Sequence, residues 1–303
     1  MKLNLIRKLT MPLAELEAYY CQRRKDRFAQ GKKLKYIRIR KVFYPVFSKF
    51  LLIDRFFRKQ TVTVLGERKK YAEPVIFACT HIWENDLENI YEMLGRSCWW
   101  FVGDPRVLYK DISGLLVYLN GCIFLDTGDK EDRHIAYLRS VELLKGGGSL
   151  MIFPEGARNG SENLPVMPLF SGTAKMAMET GTKIVPVAIE RYDKRFAVKM
   201  GTEIRPEDFG RTDDLTQALR DAMASLKWEI WEQEEHIARN TLPPDYGEQF
   251  NKTFEQCLAP WDTLETAERT RFHTKAEIEH RDTFAHLEKL VPCRENAFLL
   301  RKR

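Results

Sequence analysis

The chain has 303 residues, enough for one large domain with appended segments. Its composition is that of an ordinary globular protein, with 44% hydrophobic and 30% charged residues, and its net charge of +6 is modest. That charge is unevenly distributed. Residues 1–70 hold twenty Lys and Arg against five Asp and Glu, a net of +15, so the remainder carries −9. A basic end on an acidic body indicates an anionic partner surface, either a membrane or a nucleic acid.

The cysteine and hydropathy patterns argue against several classes of protein. The six cysteines are scattered, no Cys-x-x-Cys occurs, and those at 79, 98 and 122 lie in or beside apolar runs. This usage predicts reduced, buried thiols in a cytosolic protein rather than a disulfide framework or a zinc site. No window approaches eighteen uncharged apolar residues, and the N-terminus lacks a signal-peptide core, so we expect no transmembrane helix.

The basic N-terminal segment contains a candidate amphipathic helix. Residues 32–41 are densely basic, and apolar side chains then recur at 43, 46, 47, 50, 53 and 57, flanked by Lys and Arg. This spacing predicts a helix with a phenylalanine-rich apolar stripe. Such a helix lies either in a membrane interface or against the core of its own domain, and the sequence leaves both interpretations open.

Residues 61–200 alternate between strand and helix patterns. The strand patterns are short apolar runs at 61–66, 74–79, 98–103, 121–125, 150–153, 183–190 and 196–200. Helical patterns lie between several of them, notably at 108–119, 132–145 and 172–180. The alternation predicts an α/β fold with a largely parallel central sheet flanked by helices.

After Pro206 the pattern becomes helical, first over 213–239 and then, with a polar composition, over 250–303. We therefore predict a basic amphipathic segment over 1–60, an α/β domain over 61–210 and a helical C-terminal extension over 211–303. The extension contains His273, His280 and His286. Their spacing does not suit a metal, so we interpret them as surface or packing residues and predict no metal site.

The apolar run at 74–79 leads directly into His81, which therefore lies where a buried strand is followed by a helix. Ligands of open α/β sheets bind at this edge. Asp86 follows five residues later, and on a straight helix the two side chains would point roughly 140° apart. They can meet if His81 lies in the loop and Asp86 in the first helical turn, and the pair would then suit general-base catalysis. The alternative is an exposed loop histidine beside an acidic residue favoured by the helix dipole.

A second polar turn follows the strand pattern at 150–153. Its sequence is Pro154-Glu155-Gly156-Ala157-Arg158, in which proline and glycine force a change of direction. The turn therefore presents Glu155 and Arg158 at the C-terminal end of another strand.

Together these motifs resemble those of the glycerolipid acyltransferase family, which includes the lysophosphatidic acid acyltransferases. His81-x-x-x-x-Asp86 is followed by Phe153-Pro-Glu-Gly-x-Arg158, and residues 121–126 and 184–189 are similar to the family's other two blocks. The four blocks fall in the family's order across about residues 74 to 190. The resemblance assigns five residues to substrate binding: Asp126, Thr127, Glu155, Gly156 and Arg158.

The resemblance implies transfer of a fatty acyl group from acyl-CoA or acyl carrier protein to the hydroxyl of a lysophospholipid. The default acceptor is 1-acylglycerol-3-phosphate, which would give phosphatidic acid. His81 would be the base, Asp86 would orient it, and Glu155 and Arg158 would bind the acceptor's polar head. No cofactor is implied. With the basic amphipathic segment, the resemblance implies a peripheral enzyme on an anionic membrane surface at the cytoplasmic face.

The chain departs from the family pattern at two positions. The block at 121–126 usually continues with Arg, but here Asp126 is followed by Thr127. A Lys is common in the segment after the first motif, where this chain has Asp104. Because such cations help to hold an acceptor phosphate in the family, another lysolipid or a non-phosphate acceptor remains an alternative.

Three other classes of function are open to the sequence. A non-catalytic lipid-binding protein could use the same fold, but it would have no use for a base and its orienting carboxylate. A nucleic-acid binder could use residues 32–70, but the phenylalanine stripe suits lipid better and no nucleic-acid motif accompanies it. A thiol enzyme could pair Cys79 with His81, but Cys79 ends a buried run.

Overall fold

The computed structural model describes residues 5–37, 39–160, 164–234 and 243–256. Its strands are β1 (Thr61–Leu65), β2 (Val75–Cys79), β3 (Trp99–Gly103), β4 (Cys122–Leu125), β5 (Leu150–Ile152), β6 (Lys183–Tyr192) and β7 (Arg195–Met200). Its helices are α1 (Leu5–Thr10), α2 (Leu13–Ala29), α3 (Tyr44–Phe57), α4 (Asp86–Met93), α5 (Ile112–Asn120), α6 (Lys130–Lys145), α7 (Gly172–Thr180), α8 (Thr212–Gln233) and α9 (Tyr246–Glu255). Short 3₁₀ turns occur at Ile39–Phe43, Val107–Tyr109 and Pro206–Asp208.

The strands form a seven-stranded sheet in the order β1-β7-β6-β2-β5-β3-β4. Only the β6–β7 pair is antiparallel. All five residues of β2 are buried, as expected for a strand in the middle of a parallel sheet that is covered on both faces. The predicted α/β fold with a largely parallel sheet and flanking helices is therefore confirmed.

The two faces of the sheet have separate cores. Because side chains alternate along a strand, β2 directs Ile76 and Ala78 to one face and Phe77 and Cys79 to the other. The first face packs against α6, α7 and α8, and the second against α3, α4 and α5. The result is a three-layer α/β/α arrangement in which the strand ends, rather than the faces, are open to ligands.

Helix α8 lies beyond the predicted domain boundary at 210, yet it packs on the sheet. Leu215, Leu219 and Met223 are buried in the same core as β2 and β6. Farther along, Lys227 is fully buried, and its Nζ lies 2.6 Å from Glu190 Oε2 and 2.8 Å from the carbonyl oxygen of Ile189. Trp231 Nε1 donates to the same Glu190 oxygen at 2.8 Å. The described part of the predicted extension thus includes a structural layer of the α/β domain.

The N-terminal segment is also docked on the domain. Arg24 of α2 donates to both carboxylate oxygens of Asp132 on α6, at 3.0 and 2.6 Å. It also donates to Glu17 and to the Tyr109 hydroxyl, both at 2.8 Å. Asp132 is fully buried, so this charge-assisted contact holds α2 against the start of α6.

Helix α3 combines the two alternatives left open for the amphipathic segment. Phe47 and Leu51 are buried, and the Phe47 ring packs against Tyr91 and Trp100 with centroids 5.4 and 5.2 Å apart. Phe56 and Phe57 are nevertheless 77% and 76% exposed. The helix therefore packs on the core through one side and leaves a second apolar side uncovered.

Among the described residues, no helix is both long and apolar enough to cross a membrane. The predictions for residues 257–303, including His273, His280 and His286, lie outside the described residues. Helix α9 is the part of the polar C-terminal region that the structure describes.

Replacing Lys227 with Met should lower the free energy of unfolding by about 3–5 kcal/mol, because the Glu190 carboxylate would remain buried without its cation. The matched control is Lys199→Met, which breaks the pair with Glu229, a residue 46% exposed, and should cost less than about 1 kcal/mol. Urea unfolding of both variants measures the difference. Equal losses would contradict the assigned role of the buried pair.

Candidate active site

Four loops with polar side chains meet at one edge of the sheet. Because β2, β5, β3 and β4 are parallel neighbours, their C-terminal ends lie side by side. His81 follows β2, Arg158 follows β5, Asp104 follows β3 and Thr127 follows β4. The fold therefore brings His81, Arg158, Asp104 and Thr127 to a common edge of the sheet.

His81 and Asp86 are in contact. His81 Nδ1 lies 2.9 Å from Asp86 Oδ2, and the same oxygen accepts from the backbone N–H groups of Ile82, at 2.5 Å, and Trp83, at 2.7 Å. Asp86 is the first residue of α4 and is fully buried. The expected contact between a loop histidine and a first-turn carboxylate is thus present, and the three bonds bend the loop around that carboxylate.

The contact sets which ring nitrogen of His81 carries a proton. Since Asp86 Oδ2 is an acceptor for two backbone N–H groups, Nδ1 donates to it as a third N–H, and Nε2 keeps its lone pair. The His81 side chain is 18% exposed, so one edge of the ring reaches solvent. The Phe153 ring is stacked on the His81 ring at a centroid distance of 4.1 Å.

These surroundings lower the pKa of His81. Burial, which disfavours the charged ring, is the largest cause and outweighs the raising effect of Asp86; the positive charge of Arg158 lowers the pKa further. The imidazole is therefore neutral near pH 7 and is able to accept a proton at Nε2.

Glu155 has a position that sequence reasoning did not anticipate. It is fully buried, Oε1 accepts from the His81 backbone N–H at 3.1 Å and Oε2 accepts from the Met167 N–H at 2.9 Å. The Asn159 N–H also donates to the His81 carbonyl oxygen at 2.7 Å. The turn after β5 thereby holds the backbone of His81. We infer a positioning role for Glu155; its predicted contact with the acceptor head stays a prediction.

Gly156 is required by the shape of the same turn. Its φ is +70°, a left-handed conformation that strongly favours glycine, and a Cβ there would lie 2.3 Å from the Phe170 ring. Arg158, two residues on, is half-buried, and its charge reaches His81. Substrate binding by Gly156 and Arg158 stays a prediction.

The two departures from the family pattern are in contact with each other. Thr127 Oγ1 donates to Asp104 Oδ2 at 2.6 Å, and the Thr127 N–H donates to Oδ1 at 3.3 Å. Asp126, the neighbouring predicted site residue, accepts from the Gly128 N–H at 2.9 Å and donates its own N–H to Asp132 at 2.8 Å. Asp126 thus shapes the loop after β4, and its predicted role in substrate binding stays untested.

Sequence reasoning missed Arg191, which lies near the end of β6. Its guanidinium stacks over the Trp83 ring, 3.4 Å from the centroid, and Trp83 donates its N–H to Asp86. A cation over the face of an indole is attracted to it. Arg191 therefore supports the His81 loop from the side opposite Glu155. Its position at the end of a predicted strand was a weak signal for this role.

A thiol nucleophile finds little support at this edge. Cys79 is fully buried, and burial raises the pKa of its thiol well above the ordinary value, which disfavours the reactive thiolate. Within the described ranges, no group of three or more His, Cys, Asp and Glu side chains could hold a metal ion.

The pKa of His81 should lie below its ordinary value of about 6.5, and Asp86→Asn should lower it further. The reason for the second change is that Asp86 raises the pKa of His81 through its charge and hydrogen bond, while burial remains. In Asp86→Asn the His81 ring would therefore become protonated only at a lower pH than in the wild type. An NMR pH titration, with the His81 resonance assigned by its loss in His81→Gln, measures both values. A higher pKa in Asp86→Asn would contradict this account.

The chain is similar to known proteins in both sequence and fold. A family profile described as Acyltransferase matches residues 61–190. The chain is 24% identical over 160 residues to the 1-acyl-sn-glycerol-3-phosphate acyltransferase of Saccharomyces cerevisiae, covering 52% of this chain and 50% of that protein. It is 26% identical over 139 residues to the enzyme of the same name from Borreliella burgdorferi, covering 46% and 49%. The chain thus spans about half the length of these curated relatives.

The fold has a solved counterpart. The crystal structure of the 1-acyl-sn-glycerophosphate (LPA) acyltransferase PlsC from Thermotoga maritima is similar with a TM-score of 0.55, over 72% of this chain and 90% of that one, at 19% sequence identity. The sequence match includes both the His81 loop and the Arg158 turn. Residues 61–190 of this chain are therefore similar to the acyltransferase family, and in sequence to the 1-acyl-sn-glycerol-3-phosphate acyltransferases.

Proposed function

We propose that this protein transfers a fatty acyl group from an acyl thioester to the free hydroxyl of a lysophospholipid. The observation that carries the proposal is the contact between His81 Nδ1 and Asp86 Oδ2, at the edge of the sheet where the C-terminal ends of parallel strands lie side by side. The donor is acyl-CoA or acyl carrier protein, both of which present the acyl group as a thioester. The acceptor named for the two curated relatives, 1-acylglycerol-3-phosphate, is the first to test.

The geometry supports direct transfer. His81 Nε2 takes the proton of the acceptor hydroxyl, and the hydroxyl oxygen forms a bond to the thioester carbonyl carbon. Collapse of the tetrahedral intermediate breaks the carbon–sulfur bond, and the imidazolium returns its proton to the departing thiolate. Asp86 stabilises the imidazolium in between, since its carboxylate faces Nδ1. A thiolate is a good leaving group, so the reaction does not need an acyl-enzyme.

The acceptor's phosphate would be bound by Arg158. A guanidinium forms paired, charge-assisted hydrogen bonds with phosphate oxygens, and the charge of Arg158 acts on His81 by lowering its pKa. A non-catalytic lipid-binding protein is the alternative class. It would have no need for the bonds that Asp86 and Glu155 form to keep His81 in place.

His81→Ala should reduce acyl transfer by at least about a hundredfold, the lower limit for general-base catalysis. The matched control is His134→Ala, which removes an exposed histidine of α6 and should leave the rate unchanged. The assay uses purified protein, labelled acyl-CoA or acyl carrier protein and a lysophospholipid, with the melting temperature of each variant as the folding control. A His81→Ala variant that keeps more than about a tenth of the activity would contradict the mechanism.

We further propose that the protein binds anionic membranes through an apolar surface formed by the 3₁₀ turn at Ile39–Phe43, α3 and α5, here called the apolar patch. Its most exposed side chains are Val42 at 73%, Val46 at 69%, Phe56 at 77%, Phe57 at 76% and Leu115 at 56%. Such an extended apolar surface on a domain indicates a protein or membrane contact.

The charges beside the patch favour a membrane as its partner. Lys41, Lys49 and Lys59 are exposed along its length. Arg40, by contrast, donates to the carbonyl oxygens of Tyr118 and Leu119 and stacks on the Trp99 ring, so it holds the 3₁₀ turn to α5. Aromatic residues with flanking lysines suit the interface of an anionic bilayer such as the cytoplasmic leaflet.

Replacing Lys41, Lys49 and Lys59 together with Gln should weaken binding to phosphatidylglycerol vesicles by about two orders of magnitude, at roughly 1 kcal/mol for each lysine near the surface. The matched control changes three exposed lysines away from the patch, Lys70, Lys145 and Lys175. Vesicle sedimentation at low and high salt measures the effect. Equal binding by the two triple variants would show that the patch does not face lipid.

A further inference from the structure

The loops after β3 and β4 form a small polar unit that the proposed reaction does not use. The Thr127 hydroxyl and N–H both donate to the Asp104 carboxylate. Thr127 is exposed and Asp104 is half-buried, so the unit faces the solvent at the sheet edge. Where the resemblance leads us to expect cations, the chain therefore presents a hydroxyl and a carboxylate.

The backbone holds this unit in place. Asp104 has a φ of +46°, a left-handed conformation that aspartate tolerates better than most residues. Its N–H donates to Leu125 at 3.0 Å, and its carbonyl oxygen accepts from the Arg106 N–H at 2.8 Å. A Cβ on Gly103 would lie 2.8 Å from Thr127 Cγ2, so only glycine leaves room for Thr127 there. The contact is thus fixed by both loops.

The order of the strands places this unit at a defined distance from His81. Along the edge come His81 after β2, Arg158 after β5, Asp104 after β3 and Thr127 after β4. Neighbouring strands are about 4.8 Å apart, so Asp104 and Thr127 lie roughly 10–14 Å from His81 along the edge. A lysophospholipid with its hydroxyl at His81 and its phosphate at Arg158 would extend its head group toward them.

The chemistry of the unit favours some head groups over others. The Asp104 carboxylate can accept hydrogen bonds from hydroxyl groups, and the Thr127 oxygen can accept one as well. The same carboxylate repels a phosphate monoester, which carries about two negative charges near pH 7. A choline head has no hydroxyl to donate. A cation lies nearby, since Arg133 donates to the Thr127 carbonyl oxygen at 2.5 Å, and it is a rival phosphate ligand.

We propose that Asp104 and Thr127 bind the hydroxyl groups of a polyol head group. The preferred acceptor is then a lysophosphodiester with a hydroxylated head, such as a lysophosphatidylglycerol, rather than 1-acylglycerol-3-phosphate. This inference rests on the proposed acyl transfer and adds a class of acceptor to it.

The test compares kcat/KM for lysophosphatidylglycerol, lysophosphatidic acid and lysophosphatidylcholine with the purified full chain. The wild type should prefer lysophosphatidylglycerol to each of the others by at least about tenfold. Thr127→Val should lower kcat/KM for lysophosphatidylglycerol roughly two- to tenfold, the usual effect of losing a hydrogen bond between two uncharged groups. It should leave lysophosphatidylcholine unchanged, whereas a merely structural role would lower all three acceptors together.

A second variant removes the negative charge of Asp104 while keeping the backbone of its loop. Asp104→Asn keeps a residue that tolerates the left-handed backbone but removes the negative charge, so the rate with lysophosphatidic acid should rise. The matched control is Asp193→Asn, an exposed aspartate with a φ of +55°, which should change no ratio.

The outcomes also distinguish this inference from the reaction itself. Transfer that favours lysophosphatidic acid and loses that preference in Arg133→Gln would overturn the inference, assign the phosphate to Arg133 and leave acyl transfer standing. Equal rates with all three acceptors would overturn it as well. No transfer to any acceptor would overturn the proposed function and the inference with it.

Discussion

One carboxylate oxygen, Asp86 Oδ2, organises the candidate active site, because it accepts from the His81 ring and from the two backbone N–H groups of Ile82 and Trp83. These bonds fix both the shape of the loop and the ring nitrogen that carries the proton. Burial lowers the pKa of His81 by more than Asp86 raises it, so the ring that Asp86 Oδ2 holds is neutral. The orientation of the His81 ring and its lowered pKa thus both arise from the folding of this loop around Asp86.

Neighbouring elements hold the loop that contains His81 in place. The turn after β5 holds the His81 backbone through Glu155 and Asn159, and Arg191 at the end of β6 stacks on Trp83. Strand β6 is itself joined to β2 through the Thr80 hydroxyl, which accepts from the Ile189 N–H at 2.9 Å. The buried Lys227–Glu190 pair ties α8 to the same end of β6. Contacts from the turn after β5 and from β6 therefore converge on the loop between His81 and Asp86, and α8 supports β6.

Sequence reasoning succeeds here where the information is local. Apolar runs with turn residues predict the strands, and the five-residue spacing predicts that His81 and Asp86 can meet once the helix begins at Asp86.

Contacts between loops are different, because they depend on the order of strands in the sheet. The Asp104–Thr127 hydrogen bond requires β3 beside β4, and the bond from His81 to Glu155 requires β2 beside β5. Neither adjacency is encoded in hydrophobic periodicity. The sequence of α3 also did not show which of its apolar side chains would be buried. That depends on Tyr91 and Trp100, which lie on other elements and pack against Phe47.

The central claim is that a neutral His81 activates the acceptor hydroxyl for direct attack on the thioester, with both substrates bound at the sheet edge together. Initial rates measured while the acyl thioester and the lysophospholipid are varied against each other test it most directly. The account predicts double-reciprocal lines that intersect, because transfer takes place within a complex of both substrates. Parallel lines, together with an acylated protein when the thioester alone is present, would show that a group on the enzyme takes the acyl chain first and would contradict the account.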